Sequence, residues 1–228
     1  MTPSSRLPSV IELRQYTLHP GQREVLIELF EREFMASQQA CGIELLGQFR
    51  DLDRPDHFVW LRGFADMPAR AQVLAAFYGG PVWQAHRDAA NATMMDSDDV
   101  LLLRPVRVGR GLGPQAGTGS GAGVVLATVC PLRAPADDAL VDCFDRTIAP
   151  GLAGAGAELL ACCATESAPN NFPRLPVREG EPVLVWFTRL SDPALHAAPT
   201  LPDEFLARLS AAPQVLRLSP TERSPLSA

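Results

Sequence analysis

VIELRQYTL at residues 10–18 and VVLATVCPL at residues 124–132 decide the fold, because they read as one strand written twice with different residues on one face. Each precedes an amphipathic helical stretch, and Phe30 and Phe144 in those stretches are 114 positions apart, like Val10 and Val124. GIELL at 42–46 and GAELL at 156–160 keep that offset, whereas FVWLRGFAD at 58–66 and LVWFTRLSD at 184–192 are 126 apart. The second copy therefore carries twelve extra residues in its hairpin. Two similar halves on one chain can enclose a cleft as a symmetric dimer does, and their differences show which half keeps chemistry.

A chain of 228 residues can bury one large core or two of about 100 residues each, and the repetition favours two. The division expected is a first domain over 8–106, a Gly-rich linker over 107–123 and a degenerate second domain over 124–226. Apolar residues at 46% and charged residues at 20% are globular values, which argues against a disordered or fibrous chain. The net charge of −6 and the absence of any basic run argue against nucleic-acid binding. All 20 basic residues are arginine, which fits a bacterial, GC-rich coding sequence better than a mechanism.

No apolar run approaches the ~18 residues of a membrane span, and MTPSSRLPS lacks the apolar core of a secretory leader. A soluble cytoplasmic protein is expected. Cys41, Cys130, Cys143, Cys162 and Cys163 show neither CxxC spacing nor a disulfide framework, so they read as buried reduced thiols. Cys162 and Cys163 fall in a predicted strand and point to opposite faces, which argues against a shared metal site.

Residues 10–17 alternate around β-formers and end at the turn His19-Pro20-Gly21; residues 22–39 carry Val25, Leu26, Leu29 and Phe30 at helical spacing. Strands over 45–50 and 57–64 follow as a hairpin, then a helix over 68–77 capped by Asp66 or Met67, a third helix from Pro81, and a strand over 100–106. The order is β-α-β-β-α-β, so the fold class is α+β, with two tandem ferredoxin-like units. The glycines of GTGSGAG lead into a strand and not a helix, which removes a dinucleotide-binding reading. In the second copy, strands are expected over 124–130, 157–164, 182–190 and 214–219, and helices over 136–149 and 203–209. The counterpart of YGGPVWQAHRDAANA is lost between Ser191 and Leu201.

ELRQYTLHPGQ with its Phe-rich helix, the ELLGQF and VWLRGF hairpin strands, and FYGGPVWQAHRD leading into LLLRP together resemble the NIPSNAP family. The resemblance is strong over 10–106 and weak over 124–226, where RLSPTERSPL is similar to the family's closing strand and tail. It implies the dimeric α/β-barrel superfamily, in which two ferredoxin-like units pack sheet to sheet, so the two units of this chain are expected to pack as an intramolecular dimeric α/β barrel. Many members have a His and a Trp in the third strand, where this chain has Trp60 and Arg62, so a role tied to those residues does not transfer.

Along the first strand Glu12, Arg14 and Tyr16 share one face and Ile11 and Leu13 the other. Ile11 and Leu13 suit a helix-covered face, which places Glu12, Arg14 and Tyr16 in the barrel interior. Two readings stand for them. One is a structural ion pair plugging the barrel. In the other Arg14 holds an anionic or enolate oxygen, Tyr16 donates to it, and Glu12 positions Arg14 or takes a proton. Trp60 recurs as Trp186, which favours packing over stacking on a ligand, while Arg62 on the same face becomes Thr188. His86, spaced with Trp83 and Arg87 on one side of a helix, is a further acid/base candidate, and Tyr78 before Gly79-Gly80 could gate the cleft. His19, His57 and His196 show no ligand spacing, and Asp96, Asp98 and Asp99 read as a solvated turn, so no metal is expected.

No P-loop, nucleophile elbow or HExxH is present, and no cofactor is expected. The function expected is a NIPSNAP-type protein with a small-molecule cavity, for an anionic or aromatic ligand, with cofactor-independent oxygenase-like or isomerase-like chemistry on the first copy. The alternative is a non-catalytic module for ligand binding or protein interaction. Whether two chains pair as a homodimer stays open. Glu12, Arg14 and Tyr16 correspond to Leu126, Thr128 and Cys130, which predicts a one-sided site with the second copy as its wall.

Overall fold

A computed structural model of the chain describes residues 7–107, 111–112, 123–191 and 199–226. Most of the Gly-rich linker, most of the segment between Ser191 and Leu201, and His196 lie outside these residues. Eight strands close into one antiparallel barrel: β1 (Val10–Leu18), β2 (Glu44–Asp51), β3 (His57–Phe64), β4 (Met94–Pro105), β5 (Val124–Pro131), β6 (Glu158–Thr165), β7 (Val183–Leu190) and β8 (Gln214–Pro220). Around the barrel the order is β1-β3-β2-β8-β5-β7-β6-β4. Each half of the chain thus contributes four adjacent strands, in matching order. The halves join where β2 meets β8 and β4 meets β6.

Helices cover the outside. In the first half α1 (Arg23–Leu29) passes through a π-helical turn at Phe30–Phe34 into α2 (Met35–Ala40), and α3 (Met67–Gly79) is followed by α4 (Pro81–Asn91). In the second half α5 (Asp138–Cys143) passes through a π-helical turn at Phe144–Ile148 into α6 (Ala149–Gly154), and only the short α7 (Asp203–Leu206) precedes β8. The π-helical turns are in equivalent places, and so are the β-bulges at Leu45/Gly47 and Leu159/Ala161. At Gly47 a Cβ would come within 2.6 Å of the Phe49 ring, so a larger residue there would have to displace that buried ring. Asp66 caps α3 by accepting from the Ala69 N–H at 2.7 Å.

Both faces of the sheet are buried, which reverses one expectation. The barrel interior is filled by Ile11, Leu13, Val59, Leu61, Ala127, Phe187 and their neighbours from both halves. Val10, Tyr16, Phe58 and Trp60 pack instead against α1 to α4. Glu12, Arg14 and Tyr16 therefore lie beneath the helices of the first half and not inside the barrel. An eight-stranded barrel leaves room only for side chains to fill its lumen, and a dry lumen excludes charges. Alternation grouped these residues correctly, but with both faces covered it could not say which face met which layer.

Two smaller corrections follow. β4 begins at Met94 and not at Val100, so Asp96, Asp98 and Asp99 belong to the strand, where the pairing with β1 becomes irregular. The helix expected over 203–209 is limited to Asp203–Leu206. Cys163 faces the interior and Cys162 the helix side, as alternation requires.

Candidate functional site

Register on the sheet assembles the polar set. Glu12 on β1 is opposite Arg62 on β3, and Arg14 is opposite Trp60, so two guanidiniums and one carboxylate crowd the same patch. Arg70 reaches them from α3, where Arg70, Leu74 and Phe77 form the buried stripe. Glu12 Oε2 accepts from Arg14 Nη1 and from Arg62 Nε, each at 2.7 Å, and Glu12 Oε1 accepts from Arg70 Nε at 2.7 Å. Arg14 Nε donates to the Tyr16 hydroxyl at 2.9 Å. All four charged side chains are at most 1% exposed.

One carboxylate faces three guanidiniums, so the cluster holds a net positive charge in a dry layer. Aromatic faces take part of it: the Arg62 guanidinium is 5.0 Å from the Trp60 ring centre, and the Arg14 guanidinium is 5.4 Å from that of Tyr16. The Nη2 atoms of Arg62 and Arg70 have no hydrogen-bond partner. Burial alone would push the Glu12 carboxyl up, but Arg62, Arg14 and Arg70 outweigh it and hold the group well below the carboxylate range. A carboxylate so held does not take up a proton at neutral pH. Burial pushes the Tyr16 phenol up against the opposing pull of Arg14, so Tyr16 stays protonated and can donate.

Arg14 and Tyr16 open onto a cavity of about 350 Å³, with Tyr78, Trp83, Phe172 and Met94 also in its wall. Behind it is an apolar recess of about 40 Å³ lined by Phe30, Phe34, Trp60 and Phe77, sharing Tyr16, Tyr78 and Trp83 with the outer cavity. Exposed Arg87, Asp98 and Arg174 form the rim. The cavity thus mixes aromatic rings with the polar Asn91 and Ser97 in its walls and has a cation at its base, within the size range of small-molecule sites.

Of the residues singled out in the sequence, Arg14, Tyr16, Tyr78 and Trp83 meet in the outer cavity and Trp60 lines the recess. Glu12 and Arg62 sit behind them in the ion-pair cluster. His86 is elsewhere: it is about a third exposed and its Nε2 is 3.4 Å from Glu33 Oε2 on the π-helical turn before α2. Among the described residues no group of three or more His, Cys, Asp or Glu is placed to hold a metal. No described helix is long and apolar enough to cross a membrane.

Two contributions escaped the sequence reading. Arg70 lies within the helix expected over 68–77, and an Arg spaced four and seven residues before Leu74 and Phe77 marks a charge on its buried stripe. The other is the second-half hairpin loop, which brings Asn170, Asn171, Phe172 and Arg174 to the site.

The class these features define is a closed antiparallel α/β barrel with a polar pocket under the helices of one half. Residues 11–109 match the NIPSNAP family model. No curated protein matches the chain in sequence. Among solved structures, a candidate monooxygenase from Lactobacillus acidophilus superposes with a TM-score of 0.57 at 13% identity, over 94% of both chains. A candidate monooxygenase from Fusobacterium nucleatum gives 0.53 at 9% identity over 97% of both. An uncharacterised NIPSNAP-like domain protein from Burkholderia xenovorans is 27% identical over 48% of this chain and 95% of its own length, with a TM-score of 0.42.

Proposed function

We propose that the chain binds a small organic anion in the first half, with the anionic group on Arg14 and the apolar body among Tyr16, Tyr78 and Trp83. The observation that carries this reading is the charge excess: one buried carboxylate serves three buried guanidiniums, and Arg14 lines the cavity. An anion entering there gains charge-assisted hydrogen bonds in a low-dielectric site and relieves the cationic excess. In this reading the chain is two tandem ferredoxin-like units, 8–106 and 124–226, joined by 107–123. Its barrel is the one-chain counterpart of a dimeric α/β barrel, and only its first unit holds a ligand.

The first test is thermal denaturation with phenylacetate, 2-phenylacetamide and 2-phenylethylamine, which share a body and differ in charge. Stabilisation by phenylacetate alone, lost in Arg14→Ala, is the expected result. Equal stabilisation of wild type and Arg14→Ala removes the reading.

A catalytic version has one specific support. Arg14 and the protonated Tyr16 both line the cavity and could together hold a developing enolate oxygen, as cofactor-independent isomerisation or oxygenation would need. Glu12 does not serve as the base in it. The two structures superposing over nearly the whole chain make oxygenation the first reaction to assay, by oxygen uptake in wild type against Tyr16→Phe. Uptake unchanged in Tyr16→Phe would place any such reaction elsewhere.

A further inference from the structure

The hairpin loops of the two halves begin alike and end differently. Leu52, at the start of the β2–β3 loop, donates its N–H to Arg217 O on β8 at 2.8 Å, and Glu166, at the start of the β6–β7 loop, donates to Leu102 O on β4 at 2.8 Å. Each hairpin is thus hooked onto the last strand of the other half. The first loop occupies residues 52–56 and goes no further, whereas the second occupies residues 166–182 and crosses to the helices of the first half.

The long loop is tied down along its length. Its return leg is fixed by the Arg178 N–H on Val100 O at 2.8 Å and by Arg178 Nη1 on Asp99 Oδ1 at 3.1 Å. At its far end Arg70 Nη1 donates to Asn170 Oδ1 at 3.0 Å and to Asn171 Oδ1 at 2.9 Å, and Asn171 Nδ2 donates to Met67 O at 2.6 Å. Asn170 also accepts from the Phe172 N–H at 3.1 Å, which turns the chain so that the Phe172 ring stacks on Tyr78, centres 6.0 Å apart and planes 28° apart. Phe172 is 9% exposed and belongs to the first half's core cluster, against which Leu175 and Val177 also pack.

We propose that this strap is part of the ligand site, that Phe172 and Arg174 on it determine specificity, and that the ligand is a dianion with an aromatic or alicyclic body. This rests on the reading of the cavity as an organic-anion site. Arg14 supplies a cation at the buried end; Arg174 supplies a second at the exposed rim, beside Arg87 and against the single carboxylate of Asp98. Arg87 is already engaged by Asp88 and Gln84. Tyr16, Tyr78, Trp83 and Phe172, together with the polar Asn91 and Ser97, line the cavity, so a molecule with an anionic group at each end of a ring matches its charge pattern. The second half, which has lost its own polar set, thereby selects what the first half binds.

The test compares phenylacetate with 4-carboxyphenylacetate by calorimetry on the full chain. The expected result is at least tenfold tighter binding of the diacid by wild type. Arg174→Ala, at an exposed position, is expected to remove the preference, so that the diacid and the monoacid bind that variant with equal affinity. Phe172→Ala is expected to weaken both about tenfold. Equal affinity of the two acids for wild type, or a preference that survives Arg174→Ala, overturns the strap's role while the anion reading stands if Arg14→Ala abolishes binding. Binding of both acids that is indifferent to Arg14→Ala overturns the anion reading and this inference together, as does failure of wild type to bind either.

Discussion

The two halves of this protein share strand order, paired bulges and paired π-helical turns, yet they fill the space between sheet and helices in opposite ways. Glu12 opposite Arg62 in the first half becomes Leu126 opposite Thr188 in the second, and Arg14 opposite Trp60 becomes Thr128 opposite Trp186. In the second half Leu126, Cys130, Phe144, Trp186 and Phe205 close that layer as an ordinary apolar core. In the first half the same layer holds four buried charges and a cavity. Since one backbone supports both, the fold does not demand the polar cluster. Its presence, despite the desolvation cost of buried charge, is the ground of the ligand proposal.

The largest effect is expected from making the first half partly like the second. Glu12→Leu leaves three buried guanidiniums with no carboxylate and is expected to cost about 3–5 kcal/mol in urea denaturation. Importing the remaining second-half residues, as Arg14→Thr and Arg62→Thr together with Arg70→Leu, is expected to return most of that loss, because an apolar layer needs no counter-ion. If the combined variant is no more stable than Glu12→Leu alone, the cluster is required by the fold and the contrast between the halves loses its functional meaning.

A smaller effect separates the halves by pH. The Glu12 pKa is depressed in the folded state, so its stabilisation is complete above the unfolded carboxylate pKa of about 4.3 and declines as pH falls towards the folded value. Over that acid window this group contributes a slope of about 1.4 kcal/mol per pH unit. The combined variant, whose first half then titrates like its second, is expected to show a shallower acid limb by about that amount. An unchanged limb would mean that other carboxylates govern acid unfolding.

Much of this contrast could be read from residue order, because a two-residue period and an offset that steps from 114 to 126 need no tertiary information. They placed the eight strands, grouped Glu12 with Arg14 and Tyr16, and exposed the longer second hairpin. What could not be read depended on contacts across the chain. The face that Glu12 occupies is decided by a barrel lumen filled from both halves. His86 has the chemistry of a site residue, but the side of α4 it occupies meets Glu33 and not the cavity. The destination of the strap is set by its hook on β4, more than 60 residues away in sequence.

The smallest perturbation tests the contrast without altering stability. Four of the five cysteines, Cys130, Cys143, Cys162 and Cys163, are buried in the second half, and Cys41 in the first is partly exposed. Burial pushes the thiols of Cys130 and Cys163 up to about 12 and that of Cys143 up to about 11, and only a thiolate reacts with an alkylating reagent. Iodoacetamide at pH 8 is therefore expected to label native protein once, at Cys41, and all five positions in urea, as counted by intact mass and peptide mapping. Native labelling at Cys130 or Cys143 would mean that the layer under the second half's helices opens to solvent. That half would then hold usable space of its own, and the asymmetry on which the one-sided site rests would be one of residue type alone and not of packing.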